Sequence, residues 1–138
     1  QVERATDLIM QAGSKNVSVL GFSFKGGTDD LRESPVVEVI ERLIGKGYDL
    51  RVYDANVNLS NLIGANREYL LDHVPHISSI MVSSMADALS HGDTIVIGNY
   101  SDEFESAGDL LAPHQRVIDL VRIKELEDKA GAYEGICW

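Results

Sequence analysis

Cysteine is all but missing from this sequence. Cys137 stands alone, so no internal disulfide can staple the fold, and a reducing compartment, the cytoplasm, is the expected setting. No basic segment followed by an apolar run opens the chain, and no uninterrupted apolar stretch approaches the roughly 20 residues that a bilayer-spanning helix needs. Neither export nor a membrane partner is therefore expected. Positive charge is also scarce: 12 Lys and Arg stand against 22 Asp and Glu, a formal charge of -10, the wrong sign for capturing nucleic acid through its phosphates. Any anionic ligand must be held by cations gathered locally. An initiator Met is lacking too, and Gln1 falls inside a helix-like stretch, so a piece of a longer protein is expected, with residues 1–16 as the tail of a connecting helix and 17–138 as one domain. With 44% hydrophobic residues, 12 Gly and only 3 Pro, the 138 residues are of ordinary globular composition, enough for one sizeable core.

Apolar spacing organises the chain. Val2, Ala5, Leu8, Ile9 and Ala12 recur at three-and-four intervals and predict an amphipathic helix over 2–12. The run VSVLGF at 17–22 predicts a buried strand, and Ser34-Pro35 then marks a helix start, Ser as N-cap and Pro where its missing N–H costs nothing. That helix carries Val36, Val39, Ile40, Leu43 and Ile44 on one face and stops at Gly47. Further strands are predicted at 50–54, 78–82, 94–98 and 116–120, with helices near 58–71, 85–92, 102–112 and in the charged stretch RIKELEDKA. Strands alternating with helices through short loops predict an open, mostly parallel, Rossmann-like α/β sheet of about five strands covered on both faces.

In such sheets ligands gather beyond the carboxyl ends of the strands, where helix N-termini offer free N–H groups. The loop after the first strand, GFSFKGGTDDLRESP from Gly21 to Pro35, concentrates Lys25, Arg32, Gly26 and Gly27 just before a helix, machinery suited to a diphosphate. It is not a P-loop, because Gly26 is followed by Gly27 where the phosphate-reaching Lys is needed. The G-x-G-x-x-G fingerprint is absent as well, so Asp54, at the end of the second strand, is expected to cap its own turn instead of holding a ribose.

That loop resembles the signature of the C-terminal domain of the nucleotide-sugar 6-dehydrogenases, the UDP-glucose and GDP-mannose dehydrogenases. IGKGYDLRVYD, GANREYL, PHISS, TIVIGN and the terminal EGICW extend the likeness over most of 17–138, with GANREYL and the last pentapeptide pointing to the GDP-mannose branch, which serves alginate synthesis; the UDP-glucose branch remains the alternative. The resemblance implies an NAD-dependent enzyme that oxidises a sugar C6 alcohol twice, with NAD bound mainly by an N-terminal domain and full-length chains assembling as homo-oligomers. It assigns Phe24 and Lys25 to the nucleotide sugar and Arg32 to NAD. The catalytic Cys and Lys of such enzymes belong to preceding regions, so no catalytic residue is expected here. Gln115 stands where a relative using UDP-glucose has Arg, which puts a substrate contact at that position in doubt.

Plainer readings accompany these. Lys25 and Arg32 could pair with Asp29, Asp30 and Glu33, and the whole could be an α/β interaction module that binds no nucleotide. His73 and His76 are separated by Pro75 with no third ligand nearby, so no metal is expected. Cys137 has no adjacent base, so no catalytic role is expected of it, and the resemblance of the terminal string implies a docking or packing tail. Asp102 and Glu103 are expected to complement a helix N-terminus, and KELEDKA to form a solvated face.

Overall fold

In the computed structural model, which describes residues 1–24 and 27–136, five parallel strands form one sheet. The elements are α1 (Val2–Gln11), β1 (Asn16–Leu20), α2 (Pro35–Gly45), β2 (Asp49–Tyr53), α3 (Gly64–His73), α4 (Ile77–Ile80), α5 (Met85–His91), β3 (Thr94–Ile97), β4 (Arg116–Asp119), α6 (Lys124–Lys129) and β5 (Ala132–Gly135), with 3-10 turns at Leu59–Asn61 and Asp102–Leu110. The strand order is β2-β1-β3-β4-β5. The chain leaves β1 towards β2 and returns to the other side of β1 as β3, so strand order reverses between β1 and β3, and the loops leaving those two strands flank a crevice.

Period-two alternation divides the strands between two cores. Val17, Val19, Leu50, Val52, Val96 and Ile118 face α1 and α2, whose Ala5, Ile9, Val36, Val39, Ile40 and Leu43 are buried against them. Leu20, Ile95, Ile97 and Val117 face the other way, onto Ala88 and Leu89 of α5, Phe104 and Ala107 of the second 3-10 turn, and Leu126 of α6. Ser18 points into this second core, where its hydroxyl donates to the Ala88 carbonyl at 2.5 Å and is thereby satisfied.

The start of α2 follows the sequence closely: Ser34 Oγ accepts from Val37 N–H, and Pro35 is the first helical residue. Three expectations need correction. Residues 78–82 form no strand: Ile77–Ile80 is a single helical turn anchored by buried Ile77, and Met81 makes one isolated bridge with Val52 on the free edge of β2. Ser78 and Ser79 interrupt the apolar run, and Ser79 Oγ donates to the His76 carbonyl, a local bond that favours the turn. The fifth strand is instead β5, an edge strand with a half-exposed pattern too brief for periodicity to reveal. The stretch near 58–71 is two pieces, the 3-10 turn and α3, because Leu62 and Ile63 adopt extended backbone between them. The charged C-terminal stretch is less solvated than its composition implies, since Leu126 is fully buried.

Candidate functional site

Two buried polar side chains hold the root of the loop that leaves β1. Asp54, at the end of β2, accepts from the Phe22 N–H at 3.0 Å and the Ser23 N–H at 3.3 Å through Oδ2, and from the Asn56 N–H at 2.9 Å through Oδ1. The last of these is the turn cap expected from the sequence; the first two, which tie β2 to the loop, are not local and leave no mark in it. Asn99, from the loop after β3, donates to Ser23 Oγ at 2.8 Å and to Asp54 Oδ2 at 3.3 Å. Gly21 makes this possible: at φ +83, a Cβ there would stand 2.0 Å from Asn99 Oδ1. The loops after β1, β2 and β3 are thus fastened to one another at the point where strand order reverses.

Beyond this root the loop is folded back on itself. Phe24 N–H donates to the Asp30 carbonyl at 2.6 Å, and Ser34 Oγ donates to the Phe22 carbonyl at 2.8 Å. Asn66 of α3 reaches across to residues 29 and 31. Between the loop and α3 lies an open cleft of about 640 Å³ lined by Phe24, Asp30, Arg32 and Glu33 on one side and by Ala65, Glu68, Tyr69 and Asp72 on the other. The helical wall is a stripe at three-and-four spacing. A second cleft of about 350 Å³, near the root, includes Gly27, Asn56, Tyr100, Ser101 and Asp102 in its lining.

Two of the residues expected at the site, Phe24 and Arg32, meet in the first cleft, and Phe24 keeps 57% of its surface exposed, unusual for an aromatic residue with a formed core beneath it. Lys25 lies outside the described residues, as do Gly26, Cys137 and Trp138. Arg32 is held by Asp30, Nε donating to Oδ1 at 3.2 Å and Nη2 to Oδ2 at 3.4 Å, and that bond holds the Asp30 carboxyl below its usual range. The pair is exposed, so water screens it and it offers little resistance to a competing anion. Two of the five guanidinium N–H groups face Asp30, which leaves the fork able to donate elsewhere. Burial, then the nearby Glu38, Glu33 and Glu41 carboxylates, push the Tyr69 phenol up.

Gln115 sits at the opposite end of the sheet. It is buried where β4 begins, its Nε2 donating to the Leu89 and Gly92 carbonyls at 2.6 and 2.7 Å and its Oε1 accepting from Ala112 N–H. Its work is to close the loop before β4, and the doubt about a ligand contact there resolves into a scaffold role. Arg122 was not singled out from the sequence. It follows β4 on the carboxyl edge with φ 61, a left-handed conformation for a non-glycine residue. Buried Asp119 enforces it, accepting from Val121, Arg122 and Ile123 N–H and from the Tyr133 hydroxyl. Glu33, in the signature loop, has φ 58. His73 pairs with Glu41 at 3.1 Å and packs on the Tyr69 ring; among the described residues no three His, Cys, Asp or Glu side chains are grouped to hold a metal.

Residues 18–125 match the family described as UDP-glucose/GDP-mannose dehydrogenase family, UDP binding domain. The chain belongs to this dehydrogenase family. GDP-mannose 6-dehydrogenase of Pseudomonas aeruginosa is 44% identical over 138 residues, and that of Pseudomonas syringae pv. tomato 42% over 139, each match covering 100% of this chain. The chain spans about a third of the length of these relatives, 31% and 32%. A crystal structure of a ternary complex of the Pseudomonas aeruginosa GDP-mannose dehydrogenase superposes with a TM-score of 0.83 at 42% identity, covering 100% of this chain and 31% of that one. A UDP-glucose dehydrogenase from Pyrobaculum islandicum gives 0.74 at 27% identity, covering 99% and 29%. The matched family region runs from β1 into α6 and so takes in the signature loop, both clefts and the Asp54–Asn99 root.

Proposed function

We propose that this domain binds a nucleotide sugar at the carboxyl edge of its sheet, as the substrate-binding part of an NAD-dependent GDP-mannose 6-dehydrogenase. The observation that carries the reading is the cleft between the signature loop and α3, in which an exposed aromatic ring and a guanidinium fork converge on a loop root fixed at the switch point. The identity to GDP-mannose 6-dehydrogenases over the whole chain favours GDP-mannose over UDP-glucose.

Electrostatics divides the work within the cleft. Asp30, Glu33, Glu68 and Asp72 outnumber Arg32 along its lining, so the floor repels a diphosphate and suits the hydroxyl-bearing part of a ligand, whose O–H groups donate to carboxylates. The diphosphate belongs at the rim, against the outer edge of the Arg32 fork, with Arg122 on the same sheet edge as a further cation. Lys25 is assigned to the nucleotide sugar by its place in the signature motif alone. Phe24 offers a flat apolar surface to the sugar or base.

The sequence lacks the G-x-G-x-x-G turn that seats a pyrophosphate on a helix, and a long loop ending in Ser34 and Pro35 stands in its place. Its fit to NAD is a contact at the boundary, where Arg32 can pair with a pyrophosphate oxygen. NAD supplies hydride acceptance when bound in the full-length enzyme; the residues here bind, orient and exclude water. Synthesis of the activated uronic acid for alginate, in the cytoplasm and in a homo-oligomer, is the setting that this reading implies.

The test is Lys25→Ala in the full-length protein. A charge-assisted contact of about 1.5 to 3 kcal/mol corresponds to a roughly 10- to 150-fold loss of affinity. Calorimetric titration with GDP-mannose should show a loss of that order; unchanged binding removes Lys25 from the site.

A further inference from the structure

We propose that Asn66 is a positioning residue for the nucleotide site, tying the two walls of the cleft together so that the loop presents Phe24 and Arg32 to the ligand. The inference rests on the nucleotide-binding reading above and extends it to a residue on a different element.

Asn66 Oδ1 accepts from the Leu31 N–H at 2.7 Å, and its Nδ2 donates to the Asp29 carbonyl at 2.8 Å. One planar amide therefore satisfies a donor and an acceptor two residues apart, a clasp that a backbone segment can meet only in one arrangement. The clasped segment is the one that matters. Asp30 lies between the two bonded residues and holds the guanidinium, its carbonyl accepts from Phe24 N–H, and Arg32 follows Leu31 directly. Leu31 itself is buried and fixes the distal side of the loop to the core. The clasp originates on α3, whose Ala65, Glu68, Tyr69 and Asp72 form the facing wall, so it sets both the conformation of the loop and the width of the cleft.

Losing the clasp leaves the Arg32-bearing segment free to sample other arrangements, and affinity falls in proportion to the fraction of time spent in the competent one. A loop that is competent about one-tenth of the time binds about tenfold more weakly. Asn66 is only half-buried and α3 is anchored by Leu70, so Asn66→Ala leaves the fold intact.

The experiment compares wild type and Asn66→Ala in the full-length protein by calorimetric titration with GDP, thermal unfolding, and hydrogen exchange at the Leu31 amide. The expected result is faster exchange at Leu31 without ligand, about tenfold weaker GDP binding, and an unfolding midpoint close to wild type. A merely structural role would instead lower the midpoint and leave the affinity of the folded protein unchanged, which overturns the proposal, as does equal affinity with equal exchange. If wild type itself fails to bind GDP, the nucleotide reading fails first and this inference falls with it.

Discussion

Arg32 and Asp30 hold each other in the open, where the ion pair is cheap to break, and this decides how the guanidinium can serve two masters. In the domain alone the fork rests on Asp30, and on the proposed reading a phosphate oxygen competes with that exposed carboxylate for it. Arg32→Ala is therefore expected to leave the thermal midpoint of the domain nearly unchanged while raising the KM for NAD more than that for the sugar nucleotide in the full-length enzyme; equal steady-state constants would contradict the assignment. Tyr53 behaves differently, because it is buried. Burial first, then its hydrogen bond to Glu103 at 2.7 Å, pushes its phenol from 10.0 up to about 12. The folded state thus favours the neutral phenol, so the stabilisation is complete below pH 10 and is lost as the pH rises towards 12. At about 1.4 kcal/mol per pKa unit the loss is on the order of 2 to 3 kcal/mol. Tyr53→Phe should give up that extra pH dependence, read as a shallower fall of the denaturant midpoint between pH 10 and 12 than in wild type.

Ser34 at the head of α2 serves two bonds at once, accepting from Val37 N–H and donating to the Phe22 carbonyl across the signature loop. Ser34→Ala is expected to cost about 1 to 2 kcal/mol of unfolding free energy, the value of an N-cap with a second bond lost beside it. A loss under about 0.5 kcal/mol in urea titration would show that the cap is redundant. The cap was legible in the sequence because capping is local: Ser-Pro before an apolar stripe needs nothing distant to act. β1, β3 and β4 were legible for the same reason, each being a short run rich in β-branched residues, and β2 by its alternation of buried Leu50 and Val52 with Arg51. Residues 78–82 misled because their apolar ends, Ile80 to Val82, satisfy the same pattern, while the free edge of β2 accepts them by a single bridge. β5 was missed because an edge strand with one face to solvent keeps little periodicity, and what fixes it is Tyr133 reaching Asp119 across the sheet.

At the scale of the molecule, two cores on opposite faces of one sheet make a platform, and the proposed site lies on the edge where the strands end. The signature loop announced that edge in the sequence, since two cations and two glycines before a helix start are unusual together. The root could not be read: Asp54 meets Phe22 across 32 positions, and Asn99 meets Ser23 across 76, pairings that only the parallel register brings about. Arg122 escaped for a related reason, because its left-handed backbone depends on Asp119 and no glycine marks the turn. Ligand capture by the carboxyl edge is tested most directly by amide chemical-shift mapping of the 138-residue chain, with GDP-mannose, GDP, UDP-glucose and NAD added in turn. Shifts centred on Phe24 to Arg32 and on Ala65 to Asp72, larger with the guanine ligands than with UDP-glucose, are the predicted result. No shift with any of the four, or shifts confined to the Gln115 end of the sheet, would contradict it.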